Sequence, residues 1–71
     1  MKLEAYLKQN KITQTELAEM LGGFQTDVSS WILGKRQVPI RHAIQIEILT
    51  KGKVTRKDLR DDWAEIWPEL R

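Results

Sequence analysis

Between Thr13 and Gly22-Gly23 the chain has room for a helix of barely two turns, and both of its ends are encoded locally. Thr13 is a residue type that caps helix N-termini, and Glu16, three positions on, can return a hydrogen bond to the Thr13 backbone. Leu17, Ala18 and Leu21 form an apolar stripe behind the cap. Gly22-Gly23 closes the helix, because glycine enters the left-handed conformation without steric cost. A helix this short does not persist alone in water, so its stripe must be covered by neighbours. The next residues supply one. Val28, Trp31 and Ile32 recur at helical spacing, with Gln25, Thr26, Ser29 and Ser30 on the opposite side. A third helix is therefore expected over Gln25–Leu33, ended by Gly34.

The flanking segments read as further short helices. Leu3, Tyr6 and Leu7 place a first helix over Lys2–Gln9, broken by Asn10 and Lys11. After the polar connection Lys35-Arg36-Gln37, Val38-Pro39 opens a fourth helix, with Pro39 suited to a first turn. That helix runs Ile40–Thr50 and is closed by Gly52. It has two apolar faces: Ala43, Ile46 and Leu49 on one side, Ile40, Ile44 and Ile48 on another. The first can pack on the preceding helices; the second must meet the C-terminal segment or another chain. Val54-Thr55 reads either as a short extended stretch or as the approach to a fifth helix, with Thr55 as cap and Asp58 at the capping-box position. Asp61/Asp62–Trp67 is expected to form a helical turn ended by Pro68, with Trp63 and Trp67 sharing a face. The expectation is a single all-α domain over residues 1–71, compact, with four to five helices.

Seventy-one residues with no cysteine exclude a disulfide framework and a thiolate metal site. Charges interrupt every apolar stretch, so no segment qualifies as a membrane span or a signal-peptide core. A soluble protein acting in the cytoplasm is expected, with no membrane partner. His42 is the only histidine, so no metal site or proton relay can be built from several. Asp58, Asp61, Asp62 and Glu65 lack the spacing and the glycine of a calcium loop, and no phosphate-cradling glycine loop exists. No enzyme, metal, cofactor or small-molecule substrate is indicated. Charge, however, is unevenly spread. Residues 1–34 carry three Lys against four carboxylates, 35–60 carry eight Lys/Arg against two, and 61–71 carry one Arg against four. A basic middle between acidic ends suits a surface facing a polyanion, though a solvated charged face has the same composition.

A capped short helix, a glycine turn and a second short helix form the helix-turn-helix pattern, over about residues 14–33. Within it, Gln14, Ala18, Gly22, Gln25 and Val28 resemble the helix-turn-helix of lambdoid phage repressors and Cro proteins. Downstream, Val38-Pro39, Ile46-Glu47, Thr50, Gly52, Val54-Thr55-Arg56, Leu59-Arg60, Asp62-Trp63 and Ile66-Trp67-Pro68-Glu69-Leu70 resemble the Cro/YdaS-like group of small prophage regulators. The resemblance implies a lambda-repressor-like DNA-binding domain whose third helix enters the major groove of operator DNA, as in a Cro-type repressor. It implies base contacts from Gln25, Thr26, Ser29 and Ser30, with Gln25 suited to a bidentate contact with adenine. It further implies that Gln14 contacts a phosphate and braces Gln25, and that Lys35 and Arg36 hold phosphates.

The resemblance also implies pairing, since one helix-turn-helix makes few contacts and specific sites usually hold two. Ile44, Ile48, Trp63 and Trp67 are candidates for a homodimer interface, formed in solution or only on DNA; the alternative is that they pack within one chain. Two other functions compete with repression. One is an antitoxin that neutralises a toxin and also binds DNA, with the acidic, tryptophan-bearing tail as docking surface. The other is a protein-interaction module with no DNA role.

Overall fold

The computed structural model describes residues 1–71 and contains helices and turns but no strand. Its helices are α1 (Leu3–Asn10), α2 (Gln14–Leu21), α3 (Gln25–Ile32), α4 (Ile40–Leu49), α5 (Arg56–Leu59) and α6 (Trp63–Ile66), followed by a 3₁₀ turn at Pro68–Leu70. The tail is helical, which resolves the choice at Val54-Thr55. Pro68 does end α6, and it also begins the 3₁₀ turn, where its fixed φ is an advantage.

Local chemistry explains the boundaries. At α2 the Thr13 hydroxyl accepts from the Glu16 backbone N–H at 3.1 Å, and the Thr13 N–H donates to the Glu16 carboxylate at 3.1 Å. Thr55 and Asp58 repeat the same box at α5. The first four helices end alike. The residue after each, or one further on, has φ between 55° and 76°: Lys11, Gly22, Gly34 and Lys51. In each case the following N–H reaches back five residues, as from Gly23 to the Ala18 carbonyl at 2.9 Å. Glycine announces this ending at two of the four helices. Lysine, at the other two, gives no such signal.

The core draws on every segment. Leu3 and Leu7 come from α1, Leu17, Ala18 and Leu21 from α2, Val28 from α3, Ala43 and Ile46 from α4. Val38, Val54 and Trp67 enter from connections and the tail. Three of these are sealed almost completely: Val28, Ile46 and Val54. Ala18 is buried where α2 lies against α3, and a larger side chain there would push the helices apart.

α4 departs from its expected pattern. Leu49 is exposed, and Thr50 takes the buried position instead. Helix geometry accounts for this. Thr50, seven residues after Ala43, returns to within roughly 20° of it, whereas Leu49 stands about 120° away. A polar group can occupy the site because the Thr50 hydroxyl is satisfied there. It donates to the Ile46 carbonyl at 2.8 Å and accepts the Val54 N–H at 3.1 Å. It thereby ties the end of α4 to the connection that leads into α5.

The tail is held by ions as well as by apolar contact. Arg56 pairs with Glu47 at 3.0 Å and lies over the Trp67 ring. Lys57 covers Trp63, with its ammonium 4.6 Å from the ring centroid. The Met1 ammonium meets Asp58 at 2.9 Å and the Lys53 carbonyl at 2.7 Å. Burial alone would raise the Asp58 pKa, but hydrogen bonds from the Thr55 backbone, the Met1 ammonium and the Thr55 hydroxyl together hold it below the usual 3.8.

Thr50→Val keeps the shape but strands the Val54 N–H, so it is expected to destabilise the fold by about 1–3 kcal/mol. Urea unfolding followed by circular dichroism measures it; a change within a few tenths would remove Thr50 from the fold's supports.

Candidate nucleic-acid interface

α2 positions α3 through Leu17, Ala18 and Leu21, which pack with Val28 in one cluster and leave the opposite side of α3 outside it. Trp31 and Ile32 are half-buried against the cluster, and Trp31 also meets the His42 ring at 5.5 Å between centroids. α3 ends one residue early, with Leu33 outside it and exposed. The outer side carries Gln25 and Thr26, both exposed, with Ser29 and Ser30 half-buried.

Gln25 is braced. Its Nε2 donates to Gln14 Oε1 at 2.8 Å, which links the first residue of α2 to the first residue of α3. This is the contact between the two glutamines that the resemblance implies. Its chemistry leaves the outward groups free. A glutamine amide has two N–H donors and one carbonyl oxygen, so Gln25 keeps one N–H and its oxygen, the set that matches adenine N7 and N6. Gln14 keeps its own Nε2, a donor that suits a phosphate oxygen. Ser30, by contrast, is engaged: its hydroxyl donates to the Thr26 carbonyl at 3.0 Å. It can still accept a hydrogen bond, but its donor is taken.

The basic residues of the middle of the chain do not all stand free. Arg56 and Arg60 are built into the fold. Arg60 grips Asp62 through two parallel bonds, 2.9 and 3.0 Å, and donates to the Val38 carbonyl at 2.8 Å. The paired charges hold the Asp62 carboxyl below its usual pKa and raise that of Arg60. Lys35 and Arg36 have no such partner. They sit in the turn after α3, exposed, with both backbone N–H groups directed at the Ser30 carbonyl. Their side chains flank the C-terminal end of α3, while the Gln14–Gln25 pair flanks its start. Asp58 and Asp61 line one depression together with Lys35 and Arg36.

Two of the four candidate dimer residues change standing. Trp67 is buried at 7% exposure, so it belongs to the core of its own chain. Its N–H closes the last turn of α6 on the Trp63 carbonyl at 2.7 Å. Trp63 is half-buried beneath Lys57 and packs on the core. Ile44 and Ile48 remain exposed, together with Ile40 and Leu49. One prominent residue falls outside every expectation above: Phe24, at the N-cap of α3, is 75% exposed.

Six helices with α2 and α3 joined by a glycine turn define a small all-α helix-turn-helix domain. Residues 13–66 match the family described as "Bacterial toxin YdaS", from the Thr13 cap to the end of α6. Over 58 residues the chain is 39% identical to "Putative transcriptional regulator YdaS" of Escherichia coli (strain K12). That match covers 82% of this chain and 57% of the relative, so the chain spans little more than half the relative's length. The chain belongs to the YdaS family. No solved structure matches it significantly.

Arg60→Ala should destabilise the domain by about 1–3 kcal/mol, since it frees the Val38 carbonyl and Asp62. Lys35→Ala should stay within about 0.5 kcal/mol, as an unpaired surface cation does. Thermal melts of the two variants separate structural from available charge; equal losses would contradict the division.

Proposed function

We propose that this protein is a sequence-specific DNA-binding repressor that acts in the cytoplasm, places α3 in the major groove of an operator and occludes a promoter as Cro proteins do. The observation that carries this reading is the Gln14–Gln25 bridge. It fixes a long polar side chain at the tip of an exposed helix and leaves its outward hydrogen-bonding groups unused. Membership of a family with a relative described as a transcriptional regulator supports it. Gln25 reads a base, Thr26 and Ser29 approach base edges, and Ser30 contributes only as an acceptor. Gln14, Lys35 and Arg36 hold phosphates on either side.

Pairing on the operator is supported by the exposed stripe of α4. Ile40, Ile44 and Ile48 recur every fourth residue, with Ile48 71% exposed. Three side chains of a stripe on a ten-residue helix, even with Leu49 beside them, offer less than the ~800 Å² per partner of a stable interface, which favours pairing assisted by DNA. The longest dimension of the chain is 32 Å, so copies on half-sites roughly 34–36 Å apart stand within reach of each other. Ile48→Asp should abolish cooperative filling of two half-sites while leaving binding to one half-site intact. Sedimentation on DNA reads this; unchanged cooperativity would remove α4 from the interface.

A second reading has its own observation: the family's description names a toxin. A toxin of a toxin–antitoxin pair, or the DNA-binding antitoxin that the YdaS-like resemblance allowed, would change growth when expressed. The first case predicts arrest by this chain alone, the second rescue from a neighbouring toxin. Neither requires sequence-specific binding to an operator.

The deciding experiment is binding to duplexes selected from a randomised library. Gln25→Ala is expected to cost about 1–3 kcal/mol on the selected site and little on random DNA. Arg36→Ala should weaken binding to all duplexes and lower the salt slope by about one. Equal loss on both DNAs for Gln25→Ala, or an unchanged slope for Arg36→Ala, would sink the respective role.

A further inference from the structure

Phe24 is placed where two physical preferences are violated together. It is the most exposed of the large apolar side chains, at 75%, and belongs neither to the core nor to the residues packed on it. It also occupies the N-cap of α3 with no side-chain hydrogen bond to the helix. The same chain caps α2 and α5 with threonine boxes, so a polar cap was available to this fold. α1 and α4 begin uncapped as well, but Lys2 and Pro39 leave no large apolar ring in water at those ends. At the start of α3 alone, both capping and burial are given up at one residue.

That residue directly precedes Gln25, whose amide is fixed by Gln14. Recognition helices of this type contact bases through their N-terminal residues. A ring at the N-cap therefore arrives with the first base-reading side chain. The major groove presents one apolar group, the C5-methyl of thymine, and phenylalanine is a side chain suited to it.

We infer that Phe24 is a specificity-determining residue that packs on a thymine C5-methyl beside the base read by Gln25, an inference that rests on the DNA-reading role of α3. Its exposure in the free protein is the apolar area that contact with DNA covers. The uncapped start of α3 is the accompanying loss of stability.

The test uses the full chain and duplexes selected by it from a randomised library, with each thymine replaced in turn by deoxyuridine. One replacement should lower wild-type affinity about fourfold, the effect of one buried methyl group. Phe24→Ala should bind the thymine and deoxyuridine duplexes equally, so that the two changes are coupled. Restoring the methyl on the other pyrimidine, by placing 5-methylcytosine opposite guanine at that position, should recover discrimination by Phe24 without the thymine pairing.

Phe24→Ser provides the control for folding. It supplies a cap, so it should raise the melting temperature, by about 4–8 °C, while removing the methyl preference. A purely structural Phe24 would lower the melting temperature and leave the methyl preference unchanged. If Gln25→Ala loses specificity while Phe24→Ala retains the methyl preference, the inference about Phe24 fails alone. A Phe24→Ala variant with wild-type DNA binding but altered self-association would assign the ring to a protein contact and overturn it. Absence of sequence-specific binding by the wild type would overturn this inference together with the repressor reading.

Discussion

The burial of Val28, Ile46 and Val54 is the constraint on which the other elements depend. One comes from the exposed-faced helix α3, one from α4, and one from the link to α5. Sealing them in a single cluster commits three parts of the chain to one arrangement. In a domain of this size there is little other apolar area to enforce it. The helices themselves are eight to ten residues long in the first four cases, too short to persist unaided. Secondary and tertiary structure must therefore form together. The Thr50 hydroxyl and the Arg60 guanidinium then close the gaps that apolar contact leaves at the ends of α4 and before it.

This arrangement separates two kinds of polar residue that look alike in composition. Arg56 and Arg60 are spent within the molecule on Glu47, Asp62 and the Val38 carbonyl. Lys35 and Arg36 are left in the turn beyond α3. The acidic end of the chain thus serves partly as an internal counterion for the basic middle. The cationic surface is smaller than the charge count of residues 35–60 suggests: Lys35 and Arg36 stand beside α3, and Arg41, Lys51, Lys53 and Lys57 are exposed on other parts of the chain.

What could be read from the residues was what is decided locally. The caps at Thr13 and Thr55 involve partners three positions away, and the glycines at 22 and 34 act on their own turns. Helical periodicity located the first four helices to within a residue or two. It failed at Leu49, because the apolar residue and the buried residue are different when a threonine hydroxyl can be satisfied in the core. The Arg60 bond to Val38 spans twenty-two positions and has no local signature. For the candidate interface, the Gln14–Gln25 contact was implied by resemblance alone. Phe24 escaped notice because an exposed aromatic and a poor cap are visible only once the helix start is placed.

Lys11 and Lys51 hold left-handed backbone that glycine would enter without steric cost, and they hold it at the ends of α1 and α4. The molecule therefore keeps reserve stability at two positions outside α3. A lineage that alters the outer residues of α3, and loses stability in doing so, can recover it at these turns by a single change each. The outer side of α3 is in that sense free to diverge while the scaffold stays the same. Relatives with glycine at either position are the ones in which the most altered third helices should be sought.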